Sequence, residues 1–205
     1  MIDVHVHLAA FPDGKNGCFM SPHFQKGVLV KLVKWKLGLK GATADSLNQS
    51  YIDRLLNDLK ASQFVAKAVI LALDGVYDID GRLDEKRTHM MIGNDYVKEV
   101  TGRYPNEFLY GASVNPQRRD ALDELARVIA EGARLIKVLP PSQVFDPMDK
   151  RYRAYYRFLA DKKVPFLCHI GYEFSVTAGK QEYGFPERLR FALDEGVKVI
   201  GAHAC

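Results

Sequence analysis

Asp3-Val4-His5-Val6-His7 sets a carboxylate and two imidazoles at alternate positions of a short apolar segment. Side chains two apart on a strand share one face, so the spacing predicts that Asp3, His5 and His7 point the same way. Two imidazoles about 7 Å apart, at two strand rises, can converge on one cation. His-x-His alone is a weak signal, because a solvent-facing strand carries the same letters. Lys137, His169 and His203 give it weight, since each closes an apolar run that reads as a buried strand: Leu135–Leu139, Pro165–Ile170 and Val197–His203. Four of the six histidines thus fall at carboxyl ends of expected strands. Parallel α/β folds carry their chemistry at that edge.

The elements that must position these groups alternate between strand and helix patterns. Ile2–His7, Lys67–Leu73, Phe108–Val114, Leu135–Leu139, Pro165–Ile170 and Val197–His203 read as strands covered on both faces. Helices are expected over Ser46–Lys60, Thr88–Arg103, Asp120–Glu131, Lys150–Lys162 and Pro186–Glu195. In the third of these, Leu122, Leu125, Val128 and Ile129 are expected to share a face, with Asp120 capping the start and Gly132 the end. A doubly wound sheet usually opens with a glycine-rich phosphate turn. His7-Leu8-Ala9-Ala10-Phe11-Pro12 has none, so an α/β chain of the (β/α)₈ TIM-barrel type is expected, incomplete, with about six of eight units in a single domain, 1–205. The chain reads as a C-terminally truncated fragment, with its site incomplete and its solubility poor when isolated.

The long connection after the first strand holds Lys26–Lys40, where Leu29, Leu32, Val33 and Leu37 make an apolar helical stripe among lysines. It is expected to be a lid or contact helix over the site rather than a membrane-surface helix. The net charge of +4 does not argue for nucleic acid. No apolar run reaches the roughly 20 residues that span a bilayer. Cys18, Cys168 and Cys205, odd in number and far apart, fit a reducing cytoplasm better than a disulfide framework.

Taken together, Asp3-Val4-His5-Val6-His7, Lys137, His169 and His203 resemble the amidohydrolase superfamily. The phrasing Gly132–Pro140, Phe145-Asp146-Pro147 and Pro165–Gly171 is similar to its amidohydrolase-related branch. The resemblance implies a distorted metal-dependent barrel in which His5, His7 and His169 ligate a divalent ion, zinc in the first place. It also implies that His203 acts on substrate or water, or holds a second ion that a carboxylated Lys137 bridges. The family's remaining ligand, an aspartate ending strand eight, has no counterpart here. Asp3 is expected either to support a ligand histidine or to serve as a polar cap. TatD-like nucleases share the His-x-His opening but carry glutamate where Lys137 stands, and histidinol-phosphatase-type phosphoesterases order their acidic ligands differently.

A metal held by neutral imidazoles lowers the pKa of water to roughly 7, which suits attack on a polarised carbonyl. The expected function is hydrolysis of an amide, lactone or related carbonyl bond in a small molecule. The alternatives are metal-dependent decarboxylation of an aromatic or unsaturated acid, and a non-catalytic degenerate barrel. Tyr172, Glu173 and His23 lie in βα loops and are weaker candidates for substrate contact. A homo-oligomer is compatible with the sequence.

Overall fold

The computed structural model describes residues 1–203, the side chain of Leu29 excepted; Cys205 and the Leu29 part of the lysine-flanked stripe lie outside the described residues. Six parallel strands form one curled sheet: β1 (Ile2–His7), β3 (Lys67–Leu71), β5 (Phe108–Ala112), β6 (Leu135–Val138), β7 (Phe166–His169) and β8 (Val199–Ala202). Each neighbour in the sheet is the next of these strands in the chain. The architecture is an incomplete TIM-type barrel of six strands. A two-stranded antiparallel ribbon, β2 (Phe19–Met20) with β4 (Met90–Met91), stands beside it.

Strand alternation sorts side chains into two layers. Ala68, Ile70, Ile136, Val138, Phe166 and Cys168 belong to the large outer core between sheet and helices. Val69, Leu71, Leu135, Leu167 and Ala202 form the inner layer. Lys137 and His169 stand two residues beyond Leu135 and Leu167, so the same period turns them inward. His7 pairs in register with Leu71, and His169 with Ala202. Gly111 keeps this interior passable, because a Cβ there would sit 2.6 Å from Leu71 Cδ2.

The helices are α1 (Pro22–Lys26), α2 (Val28–Lys36), α3 (Ala44–Ala61), α4 (Asn94–Arg103), α5 (Ala121–Ala130), α6 (Pro140–Gln143), α7 (Arg153–Asp161) and α8 (Arg190–Asp194). Four differ from the sequence expectation for visible reasons. α3 starts two residues early because Thr43 and Ser46 cap each other: Thr43 Oγ1 accepts the Ser46 N–H while Ser46 Oγ accepts the Thr43 N–H. α4 begins at Asn94 rather than near Thr88, since Met90–Met91 is drawn into the ribbon against Phe19–Met20. The expected 150–162 and 186–195 helices each open with a 3₁₀ turn, Lys150–Tyr152 and Pro186–Leu189.

On α5, Leu125 and Val128 are fully buried, but Leu122 is 42% exposed, so the stripe is narrower than its letters suggest. Asp120 makes no side-chain cap there; its carboxylate accepts from the Arg118 guanidinium instead. Gly132, at φ +99°, follows α5 in the left-handed region that glycine adopts freely.

Candidate metal centre

The site lies at the carboxyl edge of the sheet. β1 reaches it through a register shift between Asp3 and Val6, where β1 advances three residues while β3 advances two. Such a bulge breaks simple alternation and re-aims side chains. It explains why Asp3 does not join the imidazoles as a third alternate donor: its Oδ1 accepts the His5 backbone N–H at 2.9 Å. His5 and His7 still meet, with 3.0 Å between their Nε2 atoms. Adjacent ligands about 2.0–2.1 Å from one ion stand roughly 2.9–3.4 Å apart, so this spacing suits a shared cation.

The imidazoles form a chain across the open side of the sheet. Ring centroids lie 4.9 Å apart for His7 and His5, 4.7 Å for His5 and His203, and 5.0 Å for His203 and His169. His203 follows β8 at φ +64°, a left-handed turn that histidine enters more readily than most residues. Lys137 is wholly buried, with its Nζ 3.3 Å from His5 Nε2. Among the described residues no three His, Cys, Asp or Glu side chains already surround one point as a finished metal cage. The histidines are a convergent row.

Electrostatics keeps His5, His7 and His169 neutral. Burial, reinforced by the Lys137 charge, lowers His5 to about 4 and His7 to about 3. Burial lowers His169 as well, opposed by the Glu173 carboxylate. Lys137 is itself pushed down to about 8 by burial. Neutral imidazoles are the form that binds metals. His169 Nε2 is buried and has no hydrogen-bond partner among the described residues. Buried polar atoms are rarely left so, and a lone pair facing a cation accounts for it. The donor set and its protonation fit a divalent ion.

Above the row opens a cavity of about 570 Å³, with His7, His169 and His203 in its wall. The remaining lining is largely apolar and includes Phe11, Met20, Phe24, Met90 and Phe174. α2 closes one side with Val30, Val33 and Lys34, and Lys34 Nζ lies 5.2 Å from the Phe11 ring centroid. Tyr172 is 62% exposed at the rim, stacked on Phe174. Glu173 also borders the cavity but is buried. His23 is exposed on α1 and lies outside the cavity lining.

A second polar group at the same edge escaped sequence reasoning. Asp74 is buried and accepts from Tyr77 Oη, the Asn115 N–H and the Arg118 guanidinium. Ser113 Oγ accepts the Asp74 N–H and donates to the Lys137 carbonyl at 2.8 Å. The lattice holds the Lys137 backbone in place. Its signal was present: Asp74 and Asn115 each follow an apolar run, those of β3 and β5.

Comparisons with known proteins agree with this architecture. The family model described as "Amidohydrolase" matches residues 2–203. No curated protein matches the chain. Among solved structures, an uncharacterized TIM-barrel protein from Bordetella bronchiseptica aligns with TM-score 0.65 at 16% identity, over 98% of this chain and 66% of its own. An amidohydrolase from Mycobacterium avium subsp. paratuberculosis aligns with TM-score 0.50 at 16% identity, over 98% of this chain and 71% of its own. A 5-carboxyvanillate decarboxylase from Novosphingobium aromaticivorans, solved with manganese and a nitrobenzoic acid, aligns with TM-score 0.50 at 17% identity, over 96% of this chain and 56% of its own. The chain therefore spans 56% to 71% of the lengths of these three.

Proposed function

The chain belongs to the amidohydrolase family, and on that premise we propose that it forms the site of a divalent-metal-dependent hydrolase acting on a carbonyl carbon of a small molecule. The observation that carries this reading is the convergence of the neutral imidazoles of His5, His7 and His169, with His5 and His7 Nε2 atoms 3.0 Å apart and His169 Nε2 bare. His5, His7 and His169 would hold the ion, zinc or a similar divalent metal. A bound divalent ion supplies Lewis acidity and water of lowered pKa.

The protein's own groups do the rest. His203, next in the row, exchanges a proton with the leaving nitrogen or oxygen. Lys137 presents its ammonium to an anionic substrate group, or carries a carboxylate formed on its nitrogen, for which its lowered pKa is favourable. The apolar walls exclude water from the reacting carbonyl and take up an apolar substrate body. α2 acts as the lid of that cavity, with Tyr172 at its rim.

One observation favours a second reaction at the same site. A largely apolar cavity with His7, His169 and His203 in its wall suits an apolar acid whose carboxylate meets the imidazoles, and hence decarboxylation. The test is metal titration with Zn²⁺ and Mn²⁺, followed by assays on amides, lactones and aromatic acids. Stoichiometric metal binding that His5→Ala and His7→Ala abolish supports the site, and the product identifies the reaction. Metal binding without any turnover would support the non-catalytic reading.

Setting and partners are part of the proposal. Cys18 and Cys168 are free thiols, which suits the cytoplasm, and no helix among the described residues is long and apolar enough to cross a membrane. The partner is a small-molecule substrate. Self-association into a homo-oligomer is testable by sedimentation.

A further inference from the structure

We propose that Glu173 is a positioning residue, which fixes His169 in the tautomer whose bare nitrogen faces the metal site. The inference deepens the metal-centre reading and rests on it for its purpose, though not for its geometry. Glu173 Oε2 lies 3.4 Å from His169 Nδ1, and both side chains are buried, at 7% and 6% exposure. A carboxylate acceptor at that distance calls for a proton on Nδ1. A neutral imidazole then carries none on Nε2, the atom left without a partner. Metal-binding histidines take this arrangement, in which the second ring nitrogen donates to a carboxylate or carbonyl.

The carboxylate is itself held on its far side. Glu173 Oε1 accepts the backbone N–H groups of Ser175 and Val176. The Glu173 backbone is clamped by Gln181, whose Oε1 accepts the Glu173 N–H and whose Nε2 donates to the Glu173 carbonyl. Glu173 is therefore committed to inward contacts, although it borders the cavity.

This geometry makes the isosteric variant informative. Glutamine has one oxygen, and the Ser175 and Val176 N–H groups demand an acceptor at the Oε1 position. In Glu173→Gln the oxygen stays there and the amide NH₂ turns toward His169 Nδ1. A donor facing Nδ1 drives the ring proton to Nε2.

The test is two-bond ¹H–¹⁵N correlation NMR of the full chain with ¹⁵N-labelled histidine, metal-free at pH 7.5, with His169 assigned by His169→Asn. Wild type is expected to show Nδ1–H, and Glu173→Gln to shift His169 toward Nε2–H. Zn²⁺ titration should show about 10- to 100-fold weaker binding in Glu173→Gln. Glu173→Asp, a shorter carboxylate, should keep the wild-type tautomer and part of the affinity. An Nε2–H signal in wild type, or an unchanged tautomer in folded Glu173→Gln, overturns the proposal. Correct tautomers with no Zn²⁺ binding in wild type would sink the metal reading while leaving the positioning of His169 intact.

Discussion

The imidazole of His203 stands 4.7 Å, centroid to centroid, from that of His5. His5 lies on the first strand and His203 directly follows the last, and those two strands do not pair with each other. The site is where the two edges of the curl meet. A cation shared by this row would tie β1 to the strands on the far side.

Metal should therefore stabilise the fold. At a free concentration 100-fold above Kd, linkage gives about 2.7 kcal/mol, or roughly 5–10 °C in Tm for a chain of this size. Differential scanning fluorimetry with Zn²⁺ checks this. His5→Ala and His7→Ala should each remove the shift, and an unchanged Tm in wild type would count against a site bridging the edges.

Lys137 gives a pH-dependent prediction. Its amine sits at about 8 when folded against an ordinary value of 10.5. The unfolded chain binds the extra proton between those values, so this contribution raises stability as pH increases from 8 to 10.5. Below pH 8 the buried amine costs about 3 kcal/mol. In metal-free protein, Lys137→Met should be more stable than wild type by up to that amount at pH 7. The advantage should vanish by pH 10.5 in urea melts. A Lys137→Met variant weaker than wild type at pH 7 would indicate that the amine is masked, as by carboxylation.

The Asp74 lattice should behave differently. Asp74→Ala strips the acceptor from Tyr77, Asn115 and Arg118 in a buried setting, at a cost of about 3–5 kcal/mol. Urea denaturation measures it. Tyr77→Phe, which removes the hydroxyl's bonds to Asp74 and from Arg118 but leaves the carboxylate its other donors, should cost less, about 1–2 kcal/mol.

α2 can be tested through the single tryptophan of the chain. Val28, Leu32 and Trp35 are 80%, 51% and 79% exposed on the face away from the cavity. As a lid, α2 should leave Trp35 emission unchanged when anionic vesicles are added, whereas a blue shift would favour a membrane role. Val30→Asp, on the cavity side, should raise KM for the substrate that the assays identify.

Much of this was legible in the letters because it rests on local period. The β-strand cores and the inward turn of Lys137 and His169 follow from alternation along Leu135–Val138 and Phe166–His169. Where non-local partners decide, the letters mislead. Asp3 shares the spacing of His5 and His7, yet a bulge, visible only once β1 pairs with β3, sends its carboxylate to the main chain. Glu173 reads as a loop acid open to substrate. Its burial depends on His169 and on the turn through Ser175 and Val176, which no single-residue pattern encodes.

The strictly sequential order of the six strands also bears on how the site comes into being. Every strand of the sheet pairs with its neighbour among the six, so the sheet can grow outward from the largely buried central segments around β5, β6 and β7 with modest loop-closure cost. His5 and His203 lie on the two flanks that such growth reaches last. Appearance of metal affinity during refolding should then lag behind recovery of helical circular dichroism, making the imidazole row a clock for the final docking of the sheet's extremities.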